Sequence, residues 1–244
     1  MTACLYLTSN PEDAFMQQIA GSTCSVTCLD KIPAASDLES HHLVVEVFLD
    51  EKLKLEALGA IARFDHWTGP VASLLYGGSA TEWAVRSGLG ERLVGFYACP
   101  SLEDIRSAEL LAGETTQSGA LRQVETFFSD LGFSAIICKD RAGGILPRVL
   151  AAMINEAAQM VQLGIAPMEE IDQMMRLAAN FPMGPFEWAD QIGLDRVLAT
   201  LEELSHEYGP LYHPCPWIRR KVDAGHYGKQ TGQGFYQYPS GGVS

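Results

Sequence analysis

Apolar residues in the first 138 positions come in short runs: Leu43-Val-Val-Glu-Val-Phe48, Val71-Ala-Ser-Leu-Leu-Tyr76, Leu93-Val-Gly-Phe-Tyr-Ala98 and Phe133-Ser-Ala-Ile-Ile-Cys138. Runs of this length with few polar interruptions predict strands buried on both faces. Between them lie stretches of helical period, such as Leu121, Val124, Phe128 and Leu131, followed by Gly132 where a helix takes a left-handed cap. Strands alternating with helices predict βαβ units and a mostly parallel sheet. After Lys139 the period changes. Val149, Leu150, Met153, Ile154, Ala157, Met160 and Val161 fall at helical spacing, with no strand-like run after them. Pro167, Glu169 and Glu170 suit the first turn of a second helix, with Ile171, Met174, Met175 and Ala178 as its apolar face. A third helix is predicted from Asp195, whose carboxylate can cap it, through Val197, Leu198, Leu201 and Leu204 to Gly209, and a fourth follows Pro216. The pattern therefore divides the chain into an α/β domain over residues 1–140 and an all-α domain over 141–244.

Composition narrows the function more than the fold. Of 244 residues 47% are hydrophobic and 19% charged, the balance of a globular chain with a sizeable core. A formal charge of −13 repels phosphate backbones and anionic lipids, so neither nucleic acid nor a membrane surface is an expected partner. The cysteines, Cys4, Cys24, Cys28, Cys99, Cys138 and Cys215, form no CxxC pair. They predict reduced thiols rather than a metal site. The start of the chain lacks a basic segment before an apolar run, and nowhere are 18 apolar residues consecutive. A cytoplasmic location is expected.

Two longer motifs are more specific. Asn180-Phe-Pro-Met-Gly-Pro-Phe-Glu-Trp-Ala-Asp190, followed by Gly193-Leu-Asp195, is similar to the HPMGPFELAD…GLD motif of the NAD-dependent 3-hydroxyacyl-CoA dehydrogenases. Tyr227-Gly-Lys-Gln-Thr-Gly-Gln-Gly-Phe-Tyr-Gln-Tyr238 resembles that family's closing GRKTGRGFYDY. Lys139-Asp140 and the helix after it align with KDxPGFxxNR, Glu91 to Pro100 with ERVIGMHFFNP, and Leu43 to Phe48 with LVIEAVF. The resemblance implies a Rossmann-like N-terminal domain and a helical C-terminal domain of the 6-phosphogluconate dehydrogenase C-terminal type. It also implies NAD as cofactor, a homodimer formed through the helical domain, and a small-molecule or acyl-CoA ligand in a cleft.

The family oxidises 3-hydroxyacyl-CoA to 3-oxoacyl-CoA, a histidine taking the hydroxyl proton as hydride passes to nicotinamide. On this alignment Tyr97 stands at the histidine, Glu109 at the glutamate that orients it, and Pro147 at the asparagine of FxxNR. The serine-rich NTSS segment falls on Leu74-Leu-Tyr-Gly77 and leaves Ser79 as the nearest hydroxyl. Where a dinucleotide pyrophosphate needs GxGxxG, the chain reads Thr8-Ser-Asn-Pro-Glu-Asp13, with Asn10 and Pro11 set to start a self-capped helix. Asp30, ending the second strand, is the candidate ribose-binding acid. The helical hairpin that contributes to the family's CoA site is cut to Lys31 to His42. These departures lead to the expectation of a degenerate nucleotide loop and of an activity lost or strongly altered. The alternative is an atypical oxidoreductase that uses Tyr97 and Glu109, with Ser79, in the interdomain cleft.

Overall fold

The computed structural model describes residues 3–9, 25–48, 50–75, 78–98 and 106–238. It divides into two compact units, Met1–Gly144 and Ile145–Ser244. In the first, seven strands form one sheet: β1 (Ala3–Leu7), β2 (Ser25–Leu29), β3 (Leu43–Glu46), β4 (Val71–Leu74), β5 (Leu93–Ala98), β6 (Ser107–Ala112) and β7 (Ser134–Lys139). Their order is β2-β1-β3-β4-β5-β6-β7. The first five pair in parallel. β6 then runs antiparallel to β5, and β7 parallel to β6. The helices described are α1 (Ala35–Glu39), α2 (Glu51–Ala62), α3 (Ala80–Ser87) and α4 (Ser118–Asp130).

Side-chain alternation sorts the strands onto two cores. Tyr6, Val45, Ala72, Phe96 and Leu110 pack with Val124, Phe127 and Phe128 of α4. Leu5, Val44, Val71, Tyr97 and Leu111 pack on the other face with Leu58 and Ile61 of α2 and Trp83 of α3. Gly132 adopts the expected left-handed conformation, with φ +79°. Two strands differ from expectation. Ser107-Ala-Glu-Leu-Leu-Ala112 is made largely of good helix formers, and its pairing on both sides overrides that preference. β7, predicted to be buried, is the edge of the sheet, so Ile136 and Ile137 are each half exposed.

The carboxyl ends of β3 and β4 meet at an ion pair removed from water. Glu46 is fully buried, and its Oε1 accepts the Phe48 N–H at 2.6 Å. Its Oε2 accepts Lys54 Nζ at 2.6 Å and Ser73 Oγ at 2.7 Å. Lys54 also donates to the Leu74 carbonyl at 2.6 Å and stands 5.2 Å from the centre of the Trp83 ring. Burial pushes the Lys54 ammonium below its ordinary pKa, and the adjoining Glu46 charge pulls it back up. Either charge alone would be costly in this setting; together they tie β3, β4, α2 and α3.

The second unit holds α5 (Leu146–Gln162), α6 (Met168–Ala179), α7 (Pro185–Ile192), α8 (Leu194–Tyr208) and α9 (Pro216–Asp223). Among the described residues of the chain no helix is long and apolar enough to cross a membrane. The segment around Pro185 is a helix of its own, α7, with Pro185 in its first turn and Phe186 and Trp188 buried. α8 begins at Leu194, with Gly193 and not Asp195 at its N-cap; Asp195 lies inside the first turn. On α5 the buried stripe runs through Leu150, Ile154, Ala157 and Ala158, and Val149 is outside it. On α6 only Ile171 and Asp172 are buried, while Met174 is 62% exposed.

Two buried carboxylates lock the closing segment onto these helices. Asp172 accepts the N–H groups of Phe186 and Glu187, at 2.9 and 3.2 Å, and the Tyr236 hydroxyl at 2.9 Å. Asp190 accepts the N–H groups of Phe235 and Tyr236, at 2.7 and 2.8 Å, and the Tyr238 hydroxyl at 3.0 Å. Phe235 completes the join by packing edge-on against Phe186 and Trp217. Burial, and then the carboxylate beside each, raises the pKa of both tyrosines above the usual phenol value.

Glu46→Ala, which strands a buried ammonium, is expected to cost about 3–5 kcal/mol in urea unfolding; a loss below about 1 kcal/mol would mean that water relieves Lys54 in the folded chain. The tyrosines set an alkaline limit with a definite sign. The unfolded chain ionises them near pH 10 and the folded chain only above that. Their contribution is therefore complete below pH 10 and is lost as the pH rises through the folded values. Replacing Tyr236 and Tyr238 together by Phe should flatten the fall in thermal midpoint above pH 10, and an unchanged slope would contradict this assignment.

Candidate functional site

Antiparallel pairing sets Tyr97 on β5 directly opposite Glu109 on β6. Residues so paired carry their side chains on one face, with Cβ atoms about 5 Å apart. Both are withdrawn from water, Tyr97 being 3% and Glu109 7% exposed. The chain that leaves β7 turns back over this face. Gly143 and Gly144 make the turn with φ of +75° and +56°, a region that side chains disfavour. A Cβ at Gly144 would lie 2.8 and 2.9 Å from Cδ2 and Cε2 of Tyr97 and would overlap Oε2 of Glu109. Ring and carboxylate thus both border the same backbone atom.

The returning segment is anchored. Asp140 accepts the Ala80 and Thr81 N–H groups at 2.8 and 2.9 Å and the Thr81 hydroxyl at 2.7 Å, holding the first turn of α3. Ser79 is the N-cap of that helix, its Oγ accepting the Glu82 N–H at 3.0 Å. Ala80 lies over Gly95, which precedes Tyr97 by two on the same face of β5. Tyr97, Glu109 and Ser79 are therefore brought to one face of the first unit, with the Ser79 hydroxyl oriented by its capping bond. Burial, with the Glu109 charge second, raises the pKa of the neighbouring Cys138 thiol.

Asp30 is not part of this group. It is exposed just after β2, four strands from β5 in the sheet order, or about 19 Å at 4.8 Å per strand. Pro147 lies in the first turn of α5, where its missing N–H removes no helical bond. Asn10 to Asp13 of the altered loop, and Tyr76 and Gly77, lie outside the described residues. Cavities of about 400, 520 and 730 Å³ occur elsewhere on the first unit, beside Trp67 and Arg92, beside Leu43 and Arg122, and between Leu55 and Gly88. Among the described residues no group of three or more His, Cys, Asp or Glu side chains is placed to hold a metal ion.

Sequence reading missed Lys54, Asp140 and Gly144. Lys54 left a signal, because Lys54, Leu58 and Ile61 stand at helical spacing and share one buried stripe. Asp140 stood in the Lys139-Asp140 match, but its partners, about sixty residues away in the chain, left no local signal.

With this geometry in view, similarities to known proteins fall into place. Residues 143–238 match the family model described as 3-hydroxyacyl-CoA dehydrogenase, C-terminal domain. A probable 3-hydroxybutyryl-CoA dehydrogenase of Deinococcus radiodurans is 33% identical over 217 residues, 87% of this chain and 78% of that one. The mitochondrial hydroxyacyl-coenzyme A dehydrogenase of Sus scrofa is 30% identical over 235 residues, 94% of this chain and 73% of that one. Among solved structures, (S)-3-hydroxybutyryl-CoA dehydrogenase PaaH1 from Ralstonia eutropha superposes with a TM-score of 0.78 at 25% identity, covering 98% of this chain and 100% of the other. FadB2 of M. tuberculosis, 22% identical, shares the fold with a TM-score of 0.82 over 97% of this chain and 98% of its own. A sheet with a Rossmann-like order, a helical second unit closed by the Asp172 and Asp190 clamps, and relatives that span most of both lead to one conclusion: the chain belongs to the 3-hydroxyacyl-CoA dehydrogenase family.

Proposed function

We propose that this chain keeps the architecture of its family while the NAD-dependent oxidation of 3-hydroxyacyl-CoA is lost or strongly altered. The observation that carries the reading is the pair Tyr97 and Glu109, buried side by side where the resemblance puts histidine and its orienting carboxylate. Taking a hydroxyl proton at neutral pH calls for a group that titrates near 7. Phenols titrate near 10, and an adjoining carboxylate disfavours a second negative charge. Pro147 adds no amide donor at the asparagine position.

An ordinary dinucleotide also fits poorly. After β1 the chain continues as Thr8 and Ser9, both bearing Cβ atoms, and then Asn10, Pro11, Glu12 and Asp13. No backbone there is bare enough for a pyrophosphate, and the two carboxylates repel it. Asp30, exposed at the carboxyl end of β2, remains suited to accept a ribose hydroxyl, so a nucleoside contact survives better than a pyrophosphate contact. Between β2 and β3 only α1 stands where the family has its longer hairpin, which weakens the case for CoA. One observation favours the alternative of an active, atypical oxidoreductase: Tyr97, Glu109 and Ser79 share one face of the sheet.

The reading extends to assembly and setting. Met174 and Leu177 on α6 are 62% and 74% exposed, and Leu163 and Ile165 nearby in the chain are similarly bare. Apolar side chains in this number suit burial against a second copy, as the family resemblance implies, and so a homodimer through the helical unit. Among the described residues Cys4, Cys28, Cys138 and Cys215 form no disulfide, which suits a reducing cytoplasm.

Titration with NADH, followed by its fluorescence, together with an acetoacetyl-CoA reduction assay, is expected to give no saturable binding up to about millimolar NADH and no turnover; with Kd near 1 mM the binding free energy is only about −4 kcal/mol. Micromolar binding with turnover would establish the atypical oxidoreductase instead, and Tyr97→Phe would then report whether the phenol takes part. Light scattering after size exclusion should give a dimer, converted to monomer by Met174→Glu with Leu177→Glu; a parent chain that elutes as a monomer sinks the dimer.

A further inference from the structure

We infer that Tyr97 and Gly144 are a matched steric pair, the phenol ring occupying space that a side chain at position 144 would need. Both positions depart from the motifs the chain otherwise follows. In ERVIGMHFFNP the histidine falls at Tyr97, and in KDxPGFxxNR the phenylalanine falls at Gly144. They lie far apart in the sequence, yet in the fold they touch. A single Cβ at 144 comes within 2.9 Å of two ring atoms of Tyr97 and overlaps Oε2 of Glu109.

Neither side can give way easily. Tyr97 belongs to β5, hydrogen-bonded to β4 on one side and β6 on the other. The segment above it is fastened by the three hydrogen bonds that Asp140 accepts from α3, and the Gly144 N–H is engaged by the Arg141 carbonyl at 3.2 Å. Close-packed interiors respond to such overlap by losing stability rather than by yielding smoothly. A larger ring at 97 and a bare backbone at 144 therefore belong together, and each is disfavoured without the other. The consequence for the site is that Tyr97 is not a loose replacement for a vanished base. It is held in place with Glu109 beneath a backbone roof that exists in this form only because position 144 has no side chain.

The inference rests on the same alignment as the proposed function but not on whether activity survives. Its test is a double-mutant cycle on the full chain: the parent, Tyr97→His, Gly144→Phe and the two together, each followed by urea unfolding. Gly144→Phe alone carries three penalties, the strain of φ +56°, the overlap with Glu109 Oε2 and the overlap with the ring. The first two are present in both variants that bear the substitution and cancel from the cycle, which leaves the overlap with the ring. The double variant is expected to unfold less readily than the product of the single effects predicts, by at least about tenfold in the unfolding constant. A departure from that product of about threefold or less would overturn the pairing. Should Gly144→Phe fail to fold, a cycle of Gly144→Ala with Tyr97→Ala answers the question with the same threefold criterion, since the Cβ at 144 makes the overlap and alanine at 97 removes the ring atoms it meets. NADH binding and acetoacetyl-CoA turnover of the parent chain report separately on the proposed function, so the failure of one reading is not mistaken for failure of the other.

Discussion

The buried pair of Glu46 and Lys54 is the constraint around which the first unit is arranged. A carboxylate without solvent is tolerable only when both oxygens are engaged, and here each is: one by a backbone N–H two residues on, the other by an ammonium and a hydroxyl. Because the donors come from the segment just after β3, from β4 and from α2, the pair dictates how far β3 and β4 extend before the chain turns, and it fixes the Leu74 carbonyl where the next loop departs. Hydrophobic burial brings these elements together without choosing their register. The ion pair makes one register satisfied and its neighbours expensive.

Downstream of that register, the same face carries Tyr97 and Glu109. β5 aligns on β4, β6 on β5, and the chain returning from β7 is pinned by Asp140 to the start of α3. Each contact narrows what the next can be, and Gly144 is left against both the Tyr97 ring and the Glu109 carboxylate.

Much of the fold was legible because burial writes itself into periodicity. The runs Leu43 to Phe48, Val71 to Tyr76 and Leu93 to Ala98 became β3, β4 and β5, the first two shortened at their carboxyl ends, and the helices after Lys139 followed from apolar spacing. β6 was illegible, for Glu109 interrupts its apolar pattern and its flanking residues favour helix; its strand state comes from pairing, which is a tertiary property. The edge position of β7 was hidden for the same reason. Within the site, Tyr97 and Glu109 could be named from the motifs, but their adjacency depends on a strand register no local pattern states. Lys54 could have been found from its place in an apolar stripe. Asp140 and Gly144 could not, since what matters about them is which distant atoms they touch.

The clamps on Asp172 and Asp190 bear on how the chain is made as well as on how it stands. Asp190 accepts from Phe235, Tyr236 and Tyr238, about fifty residues after it in the chain, whereas Asp172 accepts from Tyr236 and also from Phe186 and Glu187 nearer by. At about 5–20 residues per second the helix carrying Asp190 is made seconds before its partners. During that interval Asp190 keeps its water, and its burial waits for the segment from Phe235 to Tyr238 to fold back onto it.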